Sequence, residues 1–155
     1  MKQLIWKLVL PLTIISFLTV TKWWYVDIWG GTDEILTGFP LPFMCRCWHT
    51  SLCLQIFVSA LIIDVLTYFS FWLTLTFLVN KFLIKIRLNK TLTIILLSLS
   101  GILLVGAIFI GSLSDNIYTW NRNFKFIKLD TGYKFIWDEK YPPDYHEYHP
   151  EMKKE

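Results

Sequence analysis

The chain has 155 residues, which bounds it at one domain; 54% are hydrophobic, 17% are aromatic and the mean hydropathy is +0.46, more apolar surface than a soluble domain of this size buries. The formal charge of +3 comes from 15 basic and 12 acidic residues spread through loops and tail, without the basic stripe that tracks phosphates, so nucleic-acid binding is a poor reading. Internal repeats and low-complexity tracts are absent, which removes solenoid and linker readings.

The first apolar run, residues 4–20, is about one bilayer's worth of helix, with Lys2 and Lys7 at its start. Pro11 removes one backbone donor and predicts a bend. A cleaved signal peptide shares the basic start and apolar core, but no Ala-x-Ala-like site follows, and the run is read as a retained anchor. Residues 21–50 begin Trp23, Trp24, Tyr25 and continue through Gly30, Gly31, Gly38, Pro40 and Pro42, which predicts an irregular outer loop lying on the membrane surface.

A second run, 52–79, holds a single charge, Asp64; the third, 92–113, holds none and carries Gly101, Gly106, Ala107 and Gly111. The expected fold is an all-α membrane protein, with a three-helix transmembrane domain at 1–113 and an extramembrane tail at 114–155. Within the tail, 124–129 and 133–137 flank Asp130, Thr131 and Gly132, a pattern that reads as a short β-hairpin. Lys2, Lys7, Lys81, Lys85, Arg87 and Lys90 lie at the helix ends on one side, so the N-terminus is expected in the cytoplasm and the C-terminus outside a cell membrane.

The segment 29–57, with its Gly-Gly-Thr-Asp-Glu, Gly-Phe-Pro-Leu-Pro-Phe and Trp-His-Thr-Ser elements, resembles a segment of small, functionally uncharacterised bacterial integral membrane proteins. The resemblance implies a bacterial source and carries no known activity.

Asp64 is the sharpest chemical signal, because an ionisable group near the middle of a spanning helix costs about 2.5–3.5 kcal/mol even on the lenient insertion scale. Thr67 and Tyr68 share its helical face, and the antiparallel register of the second and third helices sets it level with Gly106, so the carboxyl is expected to bond to Thr67, Tyr68 or the third helix. Either it packs helices together or it relays protons or cations.

Cys45, Cys47 and Cys53 allow one disulfide, from Cys45 or Cys47 to Cys53, or three separate thiols. With His49 they have zinc-ligand chemistry, but their spacing matches no common finger. Asp144, His146, Glu147 and His149 lie among prolines that hold no helix, and Asp130-Thr131-Gly132 lacks the second aspartate of a protease. The sequence therefore reads as a non-enzymatic accessory or scaffolding subunit, with no cofactor or metal, in contact with the lipid bilayer and with other membrane subunits or a second copy. A small transporter built on Asp64 and a thiol-active enzyme using Cys45 and Cys47 are the alternatives.

Overall fold

A computed structural model describes residues 2–28, 33–47, 53–83, 85–86 and 89–135. Among them are three helices long and apolar enough to cross a membrane: α1 (Lys2–Thr19), α2 (Val58–Leu83) and α3 (Lys90–Gly111). The helix departs from regular α geometry one turn upstream of Pro11. The ring leaves no room for the carbonyl four residues back, and the helix widens over Ile5–Val9, where the Leu10 N–H reaches the Ile5 carbonyl. α3 starts at Asn89, whose side chain accepts the Thr91 N–H, and its last carbonyls at Ile110 and Gly111 accept the Asn116 side-chain amide.

The chain is not all-α. Six strands form one mixed sheet: β1 (Val20–Ile28), β2 (Glu34–Thr37), β3 (Met44–Arg46), β4 (Leu54–Phe57), β5 (Ile117–Thr119) and β6 (Phe126–Phe135). The strand order is β5-β4-β3-β2-β1-β6, antiparallel throughout except for the parallel β4–β5 pair. The expected irregular loop over 21–50 thus contains three strands. Val20, Thr21, Trp23, Trp24, Tyr25, Val26 and Ile28 are the β-branched and aromatic types that fit a pleated, half-buried surface. They leave α1 with no intervening loop.

The second helix begins at Val58, six residues later than expected, because Leu54–Phe57 is strand and runs directly into it. The expected tail hairpin is also overturned: β6 passes straight through Asp130, Thr131 and Gly132, pairing with β1 along its length. Gly132 is there for close approach, since a Cβ at this position would lie 2.7–2.9 Å from the Trp23 indole that stands on it. Leu129 is the extra residue of a bulge, with Tyr25 opposite Asp130 and Val26 opposite Lys128. Residues 136 and 137, the end of the expected hairpin, lie outside the described residues.

α1 leads into β1, β4 leads into α2, and α3 reaches β5 through the short turn 112–116, so the sheet sits at one end of the helices. Lys2, Lys7, Lys81, Lys85 and Lys90 lie toward the other. α1 is the central helix and packs against both α2 and α3, whereas α2 and α3 barely touch.

The pairing register places Trp24, Val26, Ile28, Leu36, Cys45 and Phe57 on one face. After β5 the chain crosses this face over residues 120–125 to reach β6 at the opposite edge. The Trp120 carbonyl accepts the Ser59 N–H at 3.1 Å, the Ser59 hydroxyl lies 2.9 Å from Asn121 Oδ1, and Phe124 packs edge-on against Phe57 with centroids 5.8 Å apart. Val26, Ile28, Leu36, Cys45 and Phe57 form the core beneath this strap.

Candidate functional site

The polar groups nearest the helices gather where α1 and α2 meet the sheet. Between β2 and β3 the chain turns sharply at Gly38, whose φ of +147° and contact with the Leu41 carbonyl, 2.2 Å from where a Cβ would stand, admit only glycine. Its N–H donates to the Lys22 carbonyl at 2.8 Å and its own carbonyl accepts the Trp24 indole N–H at 2.8 Å, which pins the loop to β1. After Gly38, across a cis Phe39–Pro40 peptide, Phe39 packs against Tyr68 of α2 and Phe43 against Phe17 of α1.

Asp64 meets this loop. Its Oδ1 accepts the Leu41 N–H at 3.0 Å, and the Phe39 amide is the other backbone donor beside the carboxyl; the side chain has no solvent exposure. Oδ2 is buried without a hydrogen-bond partner among the described residues. Because α2 starts at Val58, Asp64 lies about 9 Å along the helix at ~1.5 Å per residue, near the sheet end and not mid-span as the longer predicted helix implied. The partners differ from those expected. Thr67 donates to the Ile63 carbonyl of its own helix at 2.8 Å, and the Tyr68 hydroxyl donates to the Val20 carbonyl at 2.9 Å.

Gly106 is not brought near Asp64. A Cβ there meets nothing within 4 Å, because α1 stands between α2 and α3. The short 84–89 connection made these helices sequence neighbours, but the aromatic and hydroxyl side chains of α1 and α2 decide which pair packs. Phe17 lies against Tyr68 and Phe43 with centroids at 5.7 and 5.5 Å, and the Trp72 indole donates to the Ser16 hydroxyl at 2.9 Å. Phe17, Leu41 and Trp72 were not singled out by sequence reasoning; the coincidence of Ser16 in one apolar run with Trp72 in another was the available signal.

Cys47 and Cys53 form a disulfide across the β3–β4 connection, one of the two pairings expected. Cys45 is a free thiol, buried between strands, with Sγ 3.8 Å from Gln55 Oε1. Burial, reinforced by the Glu34 carboxylate, pushes this thiol up to about 11. Burial also raises Glu34, against the opposing pull of the Ile35 amide and Arg46. A thiol held protonated is a poor nucleophile, and with both neighbours oxidised the Cys45–Cys47 pair needed for redox catalysis does not exist in this state. Among the described residues no three His, Cys, Asp or Glu side chains converge as metal ligands. His49 and the 144–149 segment lie outside the described residues. Asp130 bonds its own neighbour, Oδ1 accepting the Thr131 N–H at 2.6 Å within β6.

The arrangement has the chemistry of a brace. A buried carboxylate, a phenol and an indole each satisfy a group on another element, and they fasten α2 to α1 and to the 38–43 loop. No family model, curated protein or solved structure matches this chain.

Proposed function

We propose that the chain is a non-enzymatic integral membrane protein, an accessory or scaffolding subunit that holds its sheet at one surface of a cell membrane for other membrane subunits or a second copy to dock on. The observation that carries this reading is the engagement of Asp64 with the Leu41 N–H. One oxygen of the ionisable group that a transporter would use is occupied in holding a loop. The neighbouring hydroxyls do not extend it into a relay: Thr67 and Tyr68 both donate elsewhere, and Thr13, Ser16, Ser98 and Ser100 bond carbonyls of their own helices. A proton path needs a chain of exchangeable partners, and these groups lead back into backbone.

The sheet side is read as extracytoplasmic and the N-terminus as cytoplasmic. Lysines at the opposite end of the helices support this by the retention of basic residues inside. The Cys47–Cys53 bridge supports it independently, because disulfides persist on the oxidising side of a membrane. Purification of the full chain in mild detergent tests the scaffold reading: reproducible co-purifying subunits or a defined homo-oligomer are expected, and a clean monomer contradicts it.

A further inference from the structure

The face of the sheet that carries the strap also carries cations stacked on aromatic rings along β1 and β6. The Lys22 ammonium lies 4.0 Å from the centroid of the Trp24 ring and 5.9 Å from that of Tyr133, and Lys128 lies 5.9 Å from Trp24. Lys22 and Tyr133 are direct cross-strand partners, and Lys128 stands opposite Val26 two residues beyond Trp24, so the two ammonium groups reach the same indole from either side along the strand. The indole itself is fixed by its N–H bond to the Gly38 carbonyl. Neither lysine has a carboxylate within ion-pair distance among the described residues; Asp27 and Asp130 alternate to the opposite face, and Glu34 of β2, on this face, is one strand further from Lys128, beyond Val26.

Depth supplies the ligand. Lys22 is three residues past Thr19, the end of α1, which places its Cα at most about 10 Å beyond the helix at ~3.3 Å per residue. An 18-residue helix is about 27 Å long, close to the ~30 Å of a hydrocarbon core, so on the reading that α1 spans, the ammonium falls in the headgroup layer, where phosphates are. Lysine stems run along apolar surface and present their heads at this level.

We propose that Lys22 and Lys128, held on Trp24 beside Tyr133, form a binding site for the phosphate of an anionic phospholipid headgroup. The test is native mass spectrometry of the full chain in neutral detergent, titrated with phosphatidylglycerol, with phosphatidylcholine and with inorganic phosphate. Wild type is expected to retain phosphatidylglycerol several-fold over phosphatidylcholine. Lys22→Gln with Lys128→Gln is expected to abolish that preference, Lys22→Arg with Lys128→Arg to keep it, and Lys125→Gln with Lys134→Gln, which removes equal charge elsewhere, to leave it intact. Retention of the preference in the Lys22/Lys128 glutamine variant, or its equal loss in the Lys125/Lys134 variant, overturns the proposal. So does displacement of the lipid by inorganic phosphate at equal concentration, which would assign the site to a soluble anion. Failure of the arginine variant to bind, with helicity unchanged, overturns it as well.

Discussion

The Tyr68 hydroxyl donates to the Val20 carbonyl at 2.9 Å, so α2 is fastened to the chain at the residue where α1 becomes β1. Tyr68→Phe removes the donor and keeps the ring packing against Phe17 and Phe39. The expected loss is about 1 kcal/mol of stability, the net worth of one such bond. Unfolding in mixed detergent micelles measures it, and a change below a few tenths would show that water or detergent replaces the phenol.

Two glycines are predicted to behave oppositely. Gly38→Ala places a methyl against the Leu41 carbonyl at a φ that L-residues rarely adopt, and is expected to destabilise by more than about 2 kcal/mol. Gly106→Leu projects into open space and is expected to leave the stability of the isolated chain within about 0.5 kcal/mol. Thermal unfolding of both variants decides this; a destabilised Gly106→Leu monomer would contradict the helix arrangement.

What the sequence made legible was the set of apolar runs, because long stretches with at most one charge each have few alternatives. What it concealed was the sheet, for a physical reason visible at two places. Leu54–Phe57 is as apolar as the helix it feeds, so a strand merged into the predicted helix and displaced Asp64 toward mid-span. Trp23, Trp24 and Tyr25 are residues of the membrane boundary and equally residues of a strand, and composition does not separate the two. Gly132 read as a turn because its partner, the Trp23 ring, is more than 100 positions away. In the site, Asp64 itself stood out, but its acceptor role for Leu41 could not be read without the fold of the 38–43 loop.

The cysteines should separate by reactivity. Cys45, Cys47 and Cys53 are all buried, so the disulfide is what separates them: unfolding without reductant is expected to expose only Cys45 to an impermeant maleimide, and unfolding with reductant all three. Replacing Cys47 and Cys53 by serine is expected to cost about 2 kcal/mol, the chain-entropy value for a loop this short. The pH dependence has a definite sign. The folded thiol titrates at about 11 against a reference of 9.0, so the stability gained from keeping it neutral is complete below pH 9 and is lost as pH rises from there to about 11. Wild type should therefore lose stability more steeply than Cys45→Ala across that window, and parallel curves would contradict the burial.

The brace at Asp64 is tested most directly by hydrogen exchange at the Leu41 amide in wild type, Asp64→Asn and Asp64→Leu. Asn keeps a carbonyl oxygen where Oδ1 accepts the Leu41 N–H, whereas Leu leaves that partly buried donor without its acceptor, at a cost of about 1–3 kcal/mol. The expected result is slow exchange in wild type and Asp64→Asn, and exchange roughly 10- to 100-fold faster in Asp64→Leu, since each 1.4 kcal/mol is tenfold. If Asp64→Leu leaves Leu41 as protected as wild type, or if Asp64→Asn loses protection as fully as Asp64→Leu does, the carboxylate is not the brace described.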